Sequence, residues 1–178
     1  PEYVAVAQNL TTLTRLEDKV DFKTASALDM PYDDETFDAA VTIHVAMNIA
    51  DRDGLYKEIA RVLKKGAQLC IYDVMKKGDA PLEFPVPWAE NQISSHLRSA
   101  KQVVAHLQDA GFVVGDVEDR TDFAFAYFDR RIAAATGKPA PLGPHIIMGP
   151  SAKQKFINVR ANLDAGRIAP TLIMATRK

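Results

Sequence analysis

The side chains best placed to do chemistry lie just after an apolar run, where Phe37 to Ile43 gives way to His44-Val45-Ala46-Met47-Asn48. An imidazole accepts a proton near neutral pH and an amide can orient a bound group, so His44 and Asn48 form a candidate catalytic pair. Met47 beside them is either a substrate contact or a core filler, because a flexible thioether fills irregular gaps. Tyr72 and Asp73 lie near the end of a second apolar run, Leu69 to Val74. A third group is Trp88 in the segment Pro85-Val86-Pro87-Trp88, which reads as a rigid packed loop or as a lid over a substrate. Tyr72 and Trp88 therefore join Met47 as candidate substrate contacts. His96, His106 and His145 carry no partner signal and read as structural. No cluster has metal-ligand spacing, and neither a phosphate-binding Gly-Lys-Ser/Thr loop nor a Gly-x-Ser-x-Gly elbow occurs, which argues against zinc enzymes, kinases and hydrolases of those types.

These residues need a scaffold, and the hydrophobic periodicity supplies one. Val6, Ala7, Leu10 and Leu13 recur at helical spacing, predicting a helix from Pro1 to about Glu17 with an apolar face. A strand is expected at Val20 to Thr24, and Phe37 to Ile43 has the β-branched, apolar composition of a buried central strand. Gln68 to Val74 reads as its neighbour. Between them Leu55, Ile59, Val62 and Leu63 share a helix face, with Asp51 or Asp53 as the cap and Gly66 as the left-handed turn that ends it. A strand-helix-strand crossover of this kind implies a parallel pair. Ser99 caps a further helix carrying Val103, Val104 and Leu107 and stopped by Gly111. The strand Phe112 to Val117, helices Asp122 to Ala135 and Ser151 to Leu163, and a last strand, Ile168 to Thr176, complete the series. Ligands of an open α/β sheet sit beyond the carboxyl ends of parallel strands, which is why the residues after Thr24, Ile43 and Val74 were singled out.

Composition narrows the setting. The 178 residues, 47% hydrophobic and 25% charged, are enough for one domain with a sizeable core. With 22 basic and 23 acidic side chains and a net charge of -1, the chain has no footprint for nucleic acid or a membrane surface. The pairs Lys64-Lys65 and Lys76-Lys77, and the run Asp33-Asp34-Glu35, read as solvated ends and loop; Asp29 reads as a turn residue. Cys70 is the single cysteine, which rules out an intrachain disulfide and suggests a reducing compartment such as the cytoplasm. No signal peptide or membrane-length apolar run is present.

Taken together, Ala27-Leu28, the turn Met30-Pro31-Tyr32, Phe37-Asp38, Asp51 and Arg61-Val62-Leu63-Lys64-Lys65-Gly66 resemble the second half of a class I S-adenosylmethionine-dependent methyltransferase. The likeness is to the small-molecule type that methylates quinones, sarcosine, dimethylglycine or tocopherol-like substrates. It implies a Rossmann-like α/β fold, a mostly parallel sheet with helices on both faces and an antiparallel terminal strand, the amino-terminal strands missing. It implies S-adenosylmethionine as cofactor, with Ser26, Ala27 and Leu28 near the adenine and His44 beneath the sulfonium. Ser26 stands where similar enzymes have an acidic residue, and the glycine-rich turn that such enzymes place after their first strand is absent from this sequence. The expected organisation is one truncated domain, 1–178, with 75–98 as a substrate-lid insertion. The expected partner is a small-molecule methyl acceptor, with no nucleic acid or membrane, and the chain alone is expected to bind cofactor weakly. A non-catalytic methyltransferase-like binding module, or a nucleotide-dependent oxidoreductase, are the alternatives. If the two family strands between Val20 to Thr24 and Phe37 to Ile43 are lacking, these segments are expected to pair directly, or a second copy to cover the edge as a homodimer.

Overall fold

The computed structural model describes residues 2–133 and 142–178. Ten elements follow in order: α1 (Glu2–Thr14), β1 (Phe37–Ile43), α2 (Arg52–Val62), β2 (Leu63–Lys76), α3 (Ala100–Asp109), β3 (Phe112–Asp119), α4 (Thr121–Ala133), α5 (Pro144–Met148), α6 (Ala152–Asp164) and β4 (Ile168–Arg177). Nearly every element expected from the periodicity is present, while positions 134 and 135 of the expected fourth helix lie outside the described residues. The short α5 had no periodic signal.

Local chemistry explains most boundaries. Asp51 caps α2 by accepting the Gly54 amide at 2.8 Å, and a Cβ at Gly54 would collide with that carboxylate. Ser99 and Gln102 form a reciprocal capping box at the start of α3, and Gly111 follows its end at φ +91°. Gly66 behaves differently from expectation. The helix stops at Val62, Leu63 is already extended and pairs with Phe37, and Gly66 at φ +78° sits in an irregular stretch of β2 where the ladder shifts register.

The sheet has the order β1-β2-β4-β3. The β1–β2 ladder is parallel, from Ala39 opposite Gln68 to Ile43 opposite Tyr72, as the crossover required. The two remaining ladders are antiparallel because β4 inserts between β2 and β3. The fold is therefore α/β with a mixed four-stranded sheet, and the expectation of mostly parallel pairing is corrected: β1, β2 and β3 run one way, but β4 breaks the parallel ladder. Alternation along β2 separates two cores. Leu69, Ile71 and Met75 pack with α2, α3, Phe112 and Ile173, while Val74 packs on the other face with Met47, Ile168 and residues of α4 and α6. Helices thus cover both faces.

Two further expectations fail for the same reason. Val20 to Thr24 forms no strand and does not move against β1; Val20 is 41% exposed and the Phe22 amide bonds only the adjacent Asp21 side chain. A strand needs a neighbour to accept its backbone groups, and among the described residues none lies beside this segment. Likewise β1 is an edge strand rather than a buried central one, with Val41 63% and Ile43 60% exposed. Helix α1 forms, yet its apolar face, Val6, Leu10 and Leu13, is exposed.

The loop before β1 is fixed by α2. Arg61 donates to the carbonyls of Tyr32 and Met30 and to Asp34 and Glu58, and Glu58 accepts the Met30 amide at 2.7 Å. Glu35 pairs with Arg177, so two acids of the supposedly solvated run are engaged. The bonds from Arg61 hold the Glu58 carboxyl down at about 2, below its ordinary 4.5. A depressed carboxylate stabilises fully above its unfolded value and loses that contribution as pH falls through the folded one. Thermal melts should therefore show Glu58→Gln lowering Tm at pH 6, with the gap to wild type closing as the pH falls from about 4.5 to about 2; a gap that persists at pH 2 would refute this.

Candidate active site

At the end of β1 the chain turns sharply. His44 takes φ +54°, a left-handed conformation uncommon for a residue with a side chain, and its amide bonds the Tyr72 carbonyl at 2.9 Å. The turn is held from below by Asp73, which is 3% exposed and points by strand alternation toward α2. Its carboxylate accepts the Val45 amide at 2.9 Å and the Ala46 amide at 3.2 Å. Burial pushes Asp73 above the usual carboxylate value, opposed by these two amides and by the charges of His44 and Arg52. Arg52, itself 4% exposed, donates to the His96 carbonyl at 2.8 Å and stands beside Tyr56, whose hydroxyl burial pushes up to about 12. Sequence reading noted Asp73 only by position; its role follows from contacts that no spacing reveals.

Above the turn lies a cavity of about 630 Å³. His44, Met47, Asn48, Tyr72 and Val74 contribute the sheet end, Pro87 and Trp88 one wall, and α4, α5 and α6 the others through Phe123, Tyr127, Phe128, Met148, Phe156 and Val159. The His44 and Tyr72 rings are 5.3 Å apart. Phe128 and Phe156 meet edge to face at 6.5 Å, joining α4 to α6. Partial burial lowers the His44 imidazole below its ordinary 6.5, with Asp73 pulling in the opposite direction, which favours the neutral form.

Five of the sequence-singled residues are thus brought together: His44, Met47, Asn48, Tyr72 and Trp88 all line this cavity. Met47 also packs in the core beneath it, as its reading as a core filler expected. Tyr72 and Asp73 sit within β2 rather than beyond it, since pairing with β4 carries the strand on to Lys76. Ser26, Ala27 and Leu28 do not line the cavity. They form a separate turn, bridged from Ser26 to Asp29, in which the Ser26 hydroxyl accepts the Leu28 amide at 3.1 Å and Leu28 is 41% exposed. The aromatic wall of α4 was missed, although the run Phe123-Ala124-Phe125-Ala126-Tyr127-Phe128 carries more rings than one buried helix face requires.

The wall bearing Trp88 is clamped to α6. Asn162, fully buried, accepts the Glu83 amide and donates to the Glu83 carbonyl, both at 2.9 Å; Asn158 donates to the Pro85 carbonyl at 2.8 Å. Lys155 pairs with Glu90, and the Trp88 indole donates to Ser95 at 3.1 Å. Among the described residues no helix is long and apolar enough to cross a membrane.

An open α/β sheet with a cavity beyond the carboxyl end of its parallel pair defines the class as a ligand-binding α/β domain. Comparison with known proteins makes it specific. Residues 1–71 match the family described as "Methyltransferase domain". The chain is 33% identical over 102 residues, 57% of its length, to ajmaline N-methyltransferase of Rauvolfia serpentina, and spans 35% of that protein. Among solved structures, 98% of the chain overlays the [4+2]-cyclase SpnF with a TM-score of 0.70 at 25% identity, covering 62% of that chain. It overlays the geranyl diphosphate C-methyltransferase of Streptomyces coelicolor A3(2), solved with S-adenosyl-L-homocysteine, with a TM-score of 0.73 at 20% identity, covering 60% of that chain. The first 71 residues thus carry the methyltransferase-domain pattern, and the whole chain is similar in fold to S-adenosylmethionine-dependent methyltransferases. It spans about a third of the length of the curated relative and about six tenths of the solved neighbours.

Proposed function

We propose that this chain carries the acceptor pocket of an S-adenosylmethionine-dependent enzyme that transfers a methyl group to a small molecule. The observation that carries this reading is the cavity closing onto His44 at the end of β1, in a chain whose first 71 residues carry the methyltransferase-domain pattern. S-adenosylmethionine supplies a methyl group on a sulfonium, already an activated electrophile, so the protein's task is chiefly alignment and exclusion of water. Trp88 and the α4–α6 wall exclude water, with residues 75–98 as the segment that covers the acceptor. The neutral imidazole of His44 takes the acceptor's proton, Asn48 orients it, and Met47 and Tyr72 hold its flank. For the cofactor, the fit is at the adenine end: the exposed Leu28 side chain, on a turn fixed by the Ser26 hydroxyl, offers an apolar shelf beside Ala27.

Calorimetry on the protein in its whole reading frame is expected to show binding of S-adenosylmethionine; tight binding of NAD instead, with none of S-adenosylmethionine, would remove the reading. Product formation with no methyl group consumed would move the chain toward the chemistry of its cyclase neighbour. Where no further strands cover it, a second copy along the open β1 edge, over exposed Val41 and Ile43, is part of this proposal. Sedimentation of the 178-residue chain as a monomer at every concentration would remove that part.

A further inference from the structure

We infer that the molecule accepted in this cavity is uncharged and largely apolar, a drug-sized polycyclic or terpenoid-like body offering one neutral hydroxyl or unprotonated amine, and that carboxylated, phosphorylated or sulfated compounds are rejected. This inference rests on the transferase reading and names its substrate class. The cavity, about 630 Å³, has room for such a body. Among the described residues, its lining contains no Lys, Arg, Asp or Glu side chain. The polar groups it does have are neutral: the His44 imidazole, the Asn48 amide and the hydroxyls of Tyr72 and Tyr127. His44, Asn48 and Tyr72 come from the end of β1 and its neighbour β2, whereas α4 and α6 contribute carbon surface apart from the Tyr127 hydroxyl.

An anion buried against this wall would surrender much of its hydration with no cation among the described lining residues to replace it, a cost of several kcal/mol for an ion that is fully buried. The charges nearest the site do not alter this. Asp73 and Arg52 are buried on the opposite side of the β1 turn and neither lines the cavity; Asp73 accepts two backbone amides and one Arg52 nitrogen donates to the His96 carbonyl. Lys155, on α6, is committed to Glu90 and is absent from the lining. Neutral apolar surface, by contrast, gains on transfer from water to the aromatic wall.

The chain itself provides the reporter, because Trp88 is its single tryptophan and lines the cavity. Titration with estradiol, a neutral polycyclic probe, is expected to shift Trp88 fluorescence saturably, and estradiol 17-sulfate should bind at least about 30-fold more weakly, as an unpaired buried charge demands. Phe123 lines the cavity yet is 57% exposed, so Phe123→Lys adds a cation without disturbing the buried core. This variant should narrow the gap between sulfate and neutral probe by about tenfold. Equal or tighter binding of the sulfate by the unaltered chain, no change in selectivity in Phe123→Lys, or no saturable response to estradiol would each overturn the inference. None of these measurements involves S-adenosylmethionine. A chain that takes up estradiol but never binds S-adenosylmethionine would lose the transferase reading alone, and one that methylates an anionic acceptor would lose the substrate class alone.

Discussion

Replacing Asp73 by alanine is expected to cost about 3 to 5 kcal/mol of stability, read as a lower urea midpoint at unchanged slope. Two backbone amides would lose their acceptor, the buried one of Ala46 and the partly buried one of Val45, at about 1 to 3 kcal/mol each when fully buried. Arg52, buried nearby, would keep Tyr56 but lose Asp73, the second of the groups that oppose the effect of its burial. Asp73→Asn keeps one carbonyl oxygen for an amide but removes the charge, so its loss should fall between wild type and alanine. A second readout separates this anchoring role from simple packing. Asp73 raises the His44 imidazole against the effect of burial, so an NMR titration should find His44 shifted further down in both variants. A loss below about 1 kcal/mol in Asp73→Ala, with His44 unmoved, would show that the β1 turn stands without it.

The second large effect concerns turnover. His44→Asn is expected to slow methyl transfer by about a hundredfold or more, the usual worth of a positioned proton acceptor, while leaving stability nearly unchanged. Asparagine is the informative substitution because it tolerates the left-handed backbone at this position, φ +54°, which alanine does not. The pH dependence follows from the direction of the shift. Burial depresses His44 below 6.5, so the reactive neutral form persists on acidification and the acid limb of the rate profile should lie below that value. The same linkage makes the neutral imidazole stabilising at high pH: its contribution is complete above about 6.5 and shrinks as pH falls toward the folded value. An acid limb retained in His44→Asn, or a variant as fast as wild type, would assign the histidine to structure.

What could be read from the residues divides along physical lines. Helix α3 was legible to its ends because every signal is local: Ser99 with Gln102 at one terminus, Gly111 at the other, and Val103 and Leu107 on the face between. The gathering of His44, Met47, Asn48, Tyr72 and Trp88 was legible through topology, since a parallel crossover directs both strand ends to one crevice. Val20 to Thr24 misled because β composition states what fits a sheet and not whether a neighbour is there to pair with. Val6, Leu10 and Leu13 misled similarly, since a stripe at helical spacing does not say what covers it. The Asp73 anchor and the Asn162 clamp join residues 28 and 79 apart in sequence, where no spacing rule reaches.

The place of β4 in the sheet also dictates when this fold can exist. Gln68 pairs with Thr176 and Val113 with the same residue from the other side, so β2 and β3 have no direct contact as strands and are joined only through β4. During synthesis at about 5 to 20 residues per second, β2 and β3 would emerge and wait with their inner edges bare until the strand between them had left the ribosome. The α2/α3 core and the cavity both draw on β4, through Ile173 and Ile168, so neither can close in the interval. Completion of the sheet therefore waits for β4, and until it arrives the inner edges of β2 and β3 are open to pairing with other strands.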